Sequence, residues 1–166
     1  MSIDIADLFD GSAAAPTADR RITNRLMESW ARADRDRFPS WASLQNHDLG
    51  DDWNWIFVVD LARSVGFPCF TFLGDKLAKL SDVYLSGSED WTVSLLEKVT
   101  NDVFDAAAVE GPLDRDDVLT LCDGRRLLVR AVTLPLADDG QIISHAIGAV
   151  NGRFATNAKA RLVAIK

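Results

Sequence analysis

Histidine and cysteine, the side chains most used in metal binding and nucleophilic catalysis, are rare in this chain. The sequence contains only His47, His145, Cys69 and Cys122. The two cysteines are isolated and lack the Cys-x-x-Cys spacing of metal sites and redox motifs. In a reducing compartment such thiols are more often small buried hydrophobes than a disulfide pair. The sequence therefore predicts no metal site and no disulfide.

Catalysis by a carboxylate is the chemistry that the remaining polar residues could support. Asp60 lies in an apolar stretch and would be the general base of a small α+β cone enzyme, an isomerase or hydrolase, in which it converges with His145. The interpretation that we favour is a polar residue on the solvated face of an edge strand. No nucleophile elbow, phosphate-binding loop or dinucleotide-binding motif occurs. We therefore predict no catalytic residue and no enzymatic activity, with the cone enzyme as the alternative.

Charge and hydropathy exclude several classes of partner. The 166 residues are 48% hydrophobic and 26% charged with a net charge of −7, as expected of one globular domain that repels phosphate backbones. Arginines between residues 20 and 37 alternate with acidic residues, which predicts a solvated helix face. The apolar runs are too short to cross a bilayer, and Met1–Asp10 lacks a signal core. We expect a cytoplasmic protein without nucleic-acid partner or membrane insertion.

The N-terminal region predicts a leader followed by one helix. The stretch of residues 1–18 ends in small and polar residues. This composition predicts a flexible leader. A helix is predicted from Arg20 to Asp36, inside a flanking segment of residues 19–40. Its apolar stripe repeats every fourth position and consists of Ile22, Leu26 and Trp30. This stripe must pack against the rest of the domain or against a second copy of the chain.

The remainder predicts two strands, helices, and then three strands. The predicted strands are Trp55–Ala62, Val65–Phe72, Asp117–Cys122, Arg126–Leu136 and Gln141–Val150. A short helix is predicted over Asp75–Leu80, and the longest helix from an N-cap at Ser88 to Gly111. Asp-Gly pairs at 123–124 and 139–140 predict two hairpins. This order fits an α+β fold with one five-stranded antiparallel sheet and helices on one face.

Two segments resemble a known family. Residues 57–87 read FVVDLARSVGFPCFTFLGDKLAKLSDVYLSG, with spaced Leu77, Leu80 and Leu85 between Gly74 and Gly87. Residues 125–150 read RRLLVRAVTLPLADDGQIISHAIGAV, an apolar strand that ends in Leu-Pro-Leu before a turn and a last strand. In this order they are similar to a PAS family of alphaproteobacterial proteins of unannotated role. The resemblance implies a PAS-like domain at residues 41–153, with a C-terminal tail at 154–166.

The resemblance also implies a sensory or regulatory module in signal transduction, with a ligand pocket between helices and sheet. Candidate pocket residues are Phe57, Phe70, Phe72, Trp91, Leu95 and His145. Haem is disfavoured because residues 89–108 contain no histidine. A photoactive flavin is disfavoured because neither cysteine lies in the Asn-Cys-Arg-Phe type of motif. The cofactor stays unknown, and a small organic ligand and a non-covalent flavin both stay open.

Output from such a module must pass through a partner, since the chain contains no recognisable effector domain. PAS flanking helices commonly mediate this step, so the resemblance makes the predicted first helix the coupling element. Its interface candidates are Ile22, Leu26 and Trp30. We expect a homodimer and an unidentified signalling protein as partner.

Overall fold

A computed structural model describes residues 21–65, 68–86 and 93–155. The chain forms one five-stranded antiparallel sheet in the order β2-β1-β5-β4-β3, together with short helices. The helices are α1 Ile22–Arg32, α2 Trp41–Leu44, α3 Asp75–Ala78, α4 Leu95–Thr100 and α5 Val103–Val109, with 3-10 helices at Gly50–Trp55 and Lys79–Asp82. The strands are β1 Ile56–Asp60, β2 Phe70–Leu73, β3 Leu113–Thr120, β4 Arg126–Leu136 and β5 His145–Phe154.

Two hairpins set the register of the last three strands. Gly124 and Gly140 have φ of 92° and 82°, a left-handed backbone that glycine adopts without a steric penalty. In each turn the Asp before the glycine accepts backbone N–H bonds, Asp123 from Arg125 and Asp139 from Gln141 and Ile142. The two hairpins predicted from the Asp-Gly pairs are therefore present, and β4 has the predicted bounds.

The sheet has two buried faces because strand side chains alternate. The inner face packs against α3, α4 and the 3-10 helix at Lys79–Asp82, and its core includes Phe57, Leu95 and Leu127. The outer face packs against α1, and its core includes Leu26 and Ile147. Each fully buried leucine stabilises the fold by about 1.5–3 kcal/mol. The α+β class and the five-stranded antiparallel sheet predicted from the sequence are confirmed, with α1 and α2 on the outer face and α3 and α4 on the inner one.

The longest helix predicted from the sequence is wrong in its extent. Ser94, not Ser88, is the N-cap of α4, where it forms a capping box with Glu97; Ser88 itself lies outside the described residues. The chain then leaves helical geometry at Asn101 and Asp102 before α5 begins. Two short helices replace one long helix, and Asp102 at their junction forms an ion pair with Arg115 of β3.

Other boundaries differ by a few residues. Helix α1 ends at Arg32 rather than Asp36, because Ala33 adopts an extended backbone. The last strand begins at His145 and extends to Phe154, whereas the sequence placed it at Gln141–Val150. Cys69 is half-buried and Cys122 is exposed, so the prediction that both are buried is wrong. Cys122 lies in the turn of the β3–β4 hairpin, which faces solvent.

Candidate functional site

The space between the helices and the inner face of the sheet is where the resemblance places a ligand, and large side chains occupy it. The Phe57 ring lies against Gly148, where a Cβ atom would come within 2.3 Å of the ring. Phe70 contacts Phe57 edge to face, with ring centroids 6.2 Å apart. Leu95, from the first turn of α4, is fully buried beside them. In this conformation the inner face is a packed core at these positions.

A small crevice lies next to this core, between the helices and the β3–β4 hairpin. Its volume is about 10 Å³, and its apolar lining consists of Val99, Leu119, Val129 and Ala131. Four charged residues complete the lining: Lys98, Asp102, Arg115 and Asp117. A space of this size holds about one water molecule. The crevice is therefore an apolar floor with a charged rim.

One ion pair crosses the crevice and joins the helices to the sheet. The Asp102 side chain is only 11% exposed, and its Oδ2 lies 2.9 Å from Nε of Arg115, whose side chain is 47% exposed. A buried carboxylate needs such a partner because desolvation penalises its charged form. Asp102 is not among the site residues predicted from the sequence. The signal was present, because Asp102 stands between Val99 and Val103 at helical spacing, on the apolar stripe.

The six pocket residues predicted from the sequence do not share one face. Phe57, Phe70 and Leu95 belong to the inner core, whereas Phe72 packs in the outer one. A register shift between Val58 and Val59 separates the partners of Phe70 and Phe72. His145 has the strand parity of Ile147 and so lies on the outer face. Trp91 lies outside the described residues. Of the five that the structure describes, Phe57, Phe70 and Leu95 therefore lie on the inner face and Phe72 and His145 on the outer one, and a role of these residues in ligand binding stays a prediction.

Phe72 instead belongs to an aromatic cluster on the outer face. Its ring centroid lies 5.8 Å from that of Trp41 and 5.5 Å from that of Trp53, and the two tryptophan centroids are 5.9 Å apart. The Trp53 contacts are edge to face, the arrangement that aromatic pairs prefer. These rings fill the space between α2, the 3-10 helix at Gly50–Trp55 and β2. Trp41 and Trp53 are therefore packed side chains of the outer core.

Asp60 and His145, the pair of the enzyme alternative, do lie close together. His145 Nε2 is 3.8 Å from Asp60 Oδ2, and its Nδ1 is 2.9 Å from Ser144 Oγ and 3.5 Å from Asp138 Oδ1. The Asp60 carboxylate also accepts backbone N–H bonds from Ala62 and Arg63. It thereby closes the turn after β1. This cluster ties together the ends of β1, β4 and β5, on the face opposite to the crevice.

Helix α1 is fixed to the outer face by apolar and polar contacts. Leu26 is fully buried against the sheet, while Ile22 and Trp30 are half-buried at its sides. Trp30 Nε1 donates to the Pro135 carbonyl at 2.8 Å. Arg25 donates from two nitrogens to the Asp52 carboxylate, at 2.6 and 2.9 Å, and this hydrogen bonding raises the pKa of Arg25. Leu26 is thus inaccessible to a second copy, which corrects its prediction as an interface residue.

Two general features of the described residues bear on function. Within residues 21–65, 68–86 and 93–155, no three His, Cys, Asp or Glu side chains are grouped so as to hold a metal ion. No helix in the same part of the chain combines the length and apolar character needed to cross a membrane.

No family model and no curated protein matches this chain. The chain is similar in structure to the PAS domain of BvgS from Bordetella pertussis, with 17% identity over 68% of this chain and 84% of that one and a TM-score of 0.37. It is similar to the dark-state light-oxygen-voltage domain of the photoreceptor Aureochrome1, with 12% identity over 69% and 84% of the two chains and a TM-score of 0.41. A fungal light-oxygen-voltage photoreceptor domain gives 14% identity over 86% and 100%, with a TM-score of 0.41.

The sheet itself defines the class of this domain. Five antiparallel strands, with the helices between β2 and β3 on the inner face and a flanking helix on the outer one, form the α+β architecture that the sequence predicts. Membership of the alphaproteobacterial family stays a prediction.

Proposed function

We propose that this chain is a sensory or regulatory module of the PAS type, which binds a small organic ligand on the inner face and docks to a signalling protein. The observation that supports the ligand site is the buried Asp102 carboxylate, held by Arg115 above an apolar floor. Apolar walls with a few placed polar groups are typical of small-molecule sites. The crevice holds about one water molecule, so a larger ligand enters only when α4 moves away from β3.

The same ion pair offers a route from ligand to output. Asp102 lies between α4 and α5, whereas Arg115 belongs to β3. A ligand that separates these two side chains changes the position of the helix pair relative to the sheet. A conformational change of this kind requires that the ligand bind the opened state more tightly than the closed one. The moved helices then present a different surface to a partner protein.

Assembly and location are part of the same proposal. We expect a cytoplasmic protein that acts as a homodimer or with a separate signalling partner. Of the three α1 residues predicted for the interface, Ile22 and Trp30 are half-buried and have surface left for a partner. Light scattering during size-exclusion chromatography tests the dimer. A mass of one chain at micromolar concentration would contradict it.

Native mass spectrometry and an absorption spectrum of the untreated protein test the ligand. We expect a mass above that of the polypeptide, from a ligand that copurifies. Ala131 lies in the floor of the crevice, so Ala131→Val should weaken ligand binding about 5- to 150-fold and lower the fraction that copurifies, because overpacking a filled site costs about 1–3 kcal/mol. Ala108→Val, an exposed position on α5, is the matched control. The polypeptide mass alone, with no absorption beyond that of the aromatic residues, would contradict ligand binding.

A further inference from the structure

Part of the outer face of the sheet is not covered by α1. Beyond Val132 and Ala149, the outward side chains of β3, β4 and β5 form a surface that we call the distal strip: Val118, Thr120, Arg126, Leu128, Arg130 and Arg153. Val118 is 51% exposed, and its cross-strand neighbour Leu128 is half-buried. Aliphatic side chains paired on an open sheet face are a surface that other chains can cover. The centre of the strip is therefore apolar.

The rim of the distal strip is positively charged. Arg130 holds Asp116 with two hydrogen bonds, of 2.6 and 2.9 Å. Arg126 and Arg153 belong to the same face, and neither has a carboxylate partner among the residues that the structure describes. Asp114, opposite Val132, lies on the same face, so the strip and its edge carry three arginines against two aspartates, an excess of one cation, and Arg126 and Arg153 flank the aliphatic centre. An acidic segment with apolar side chains is the complementary chemistry.

The described chain begins beside this strip. Arg21 immediately precedes α1, and the other end of this helix is fixed near the end of β4 by the hydrogen bond from Trp30 to the Pro135 carbonyl. Arg21 therefore lies toward the Arg130 end of the outer face, where its charge helps to lower the pKa of Asp116, after the larger effect of Arg130. The twenty residues that precede Arg21 must therefore start from this edge of the outer face. The first ten contain Ile3, Ile5, Leu8 and Phe9 together with three Asp and no basic residue. They have the composition that the strip requires.

The connection is long enough. Residues 11–20 have a flexible composition, and ten such residues have a root-mean-square span of about 17 Å. The strip covers three strands at about 4.8 Å spacing and a few residues along each at about 3.3 Å. The first ten residues can therefore reach any part of it. Tethering raises their effective concentration to about the millimolar range, so a weak contact suffices.

We propose that residues 1–10 of this chain fold back over the distal strip, with their apolar side chains on Val118 and Leu128 and their aspartates near Arg126 and Arg153. The inference does not depend on the proposed function. It gives the leader a binding site in place of the purely flexible role expected from composition. A partner that uses the strip must first displace the leader.

Disulfide trapping in the full chain tests the contact. Cys69→Ser and Cys122→Ser remove the native thiols, and Leu8→Cys is then combined with Val118→Cys. The matched control combines Leu8→Cys with Val65→Cys, which is 79% exposed in the loop after β1, at the opposite end of the sheet. We expect an intramolecular disulfide that forms at least about tenfold faster at position 118 than at position 65, because only docking raises the local concentration there. Arg126→Glu with Arg153→Glu should remove most of the difference.

Two outcomes would overturn the proposal. Equal rates at positions 118 and 65 would show a leader that does not dock, and disulfide-linked dimers through positions 8 and 118 would show that a second copy occupies the strip. Positions 118 and 65 are both exposed, so the variants should fold. Circular dichroism checks this. A second measurement leaves the sheet unmodified: a nitroxide on Leu8→Cys should broaden the amide resonances of Val118 and Leu128 in dilute protein. Unbroadened resonances there would equally contradict docking.

Discussion

Thr23 is a buried hydroxyl whose replacement should stabilise the protein. The residue is 3% exposed in the first turn of α1, and its Oγ1 has no hydrogen-bond partner among the residues that the structure describes. An unsatisfied buried polar group costs about 1–3 kcal/mol. Thr23→Val keeps the shape of the side chain and removes the hydroxyl. We expect the free energy of unfolding to rise by about 1 kcal/mol, measured by urea denaturation.

The matched control for Thr23 is a threonine that is equally buried but satisfied. Thr100 is 1% exposed and donates from Oγ1 to the Leu96 carbonyl at 2.8 Å. Thr100→Val removes a hydrogen bond, so it should leave stability unchanged or reduce it by about 1 kcal/mol. A gain of equal size in both variants would mean that the effect reflects hydrophobicity alone and not the unpaired hydroxyl of Thr23.

Single residues also show where sequence interpretation stops. The stripe of Ile22, Leu26 and Trp30 follows from spacing alone, because a helix repeats its faces every three to four residues. The choice between covering the sheet and pairing with another copy does not follow from spacing. The ion pair between Asp102 and Arg115 could not be predicted from the sequence either, since the two residues belong to different elements and meet only in the folded chain. Spacing identifies the stripe but not what it packs against.

At the scale of elements, α1 should behave as an integral part of the domain. Leu26 is fully buried between α1 and the sheet, so Leu26→Ala should lower the free energy of unfolding by about 2–5 kcal/mol. Glu28→Ala, at an exposed position on the same helix, should change it by less than about 0.5 kcal/mol. Urea denaturation followed by circular dichroism and by tryptophan fluorescence measures both. If α1 were a detachable coupling helix, Leu26→Ala would leave the unfolding midpoint of the sheet unchanged.

The predicted elements agree with the structure where local chemistry decides and differ where two local signals compete. β4 and both hairpins follow from an apolar run bounded by Asp-Gly turns, and the structure has them at those positions. For the next helix the sequence offers both Ser88 and Ser94 as N-caps. Only Ser94 is followed three residues later by a glutamate, and that capping box fixes the start of α4. The capping-box signal was therefore present in the sequence, although the N-cap was predicted at Ser88.

The candidate site was the least predictable feature, because four separate segments build it. The crevice takes residues from α4, the α4–α5 junction, β3 and β4. Whether aromatic residues of β2 face it depends on the register shift between Val58 and Val59, and nothing in the sequence marks that shift. The sequence predicted a five-stranded antiparallel sheet with helices packed on it. It could not predict how much space is left between the sheet and the helices.

At the scale of the whole molecule, acid should destabilise the fold through specific carboxylates. The hydrogen bonds from Arg130 lower the pKa of Asp116, those from Arg125 lower the pKa of Asp123, and backbone N–H groups of Ile142 and Gln141 lower the pKa of Asp139. In the unfolded chain these groups return to a pKa of about 3.9. The unfolded state therefore binds more protons over this range, so stability falls as the pH falls.

The contribution of these carboxylates is complete above the unfolded pKa and is lost as the pH passes below the folded values. We expect a lower urea midpoint at about pH 3 than at about pH 5. Asp139→Asn removes a titrating carboxylate but keeps an oxygen for the turn, so it should lessen this pH dependence. Asp34→Asn, at an exposed position after α1, is the control and should leave the dependence unchanged. Equal pH dependence in wild type and Asp139→Asn would mean that the Asp139 carboxylate does not contribute to the loss of stability in acid.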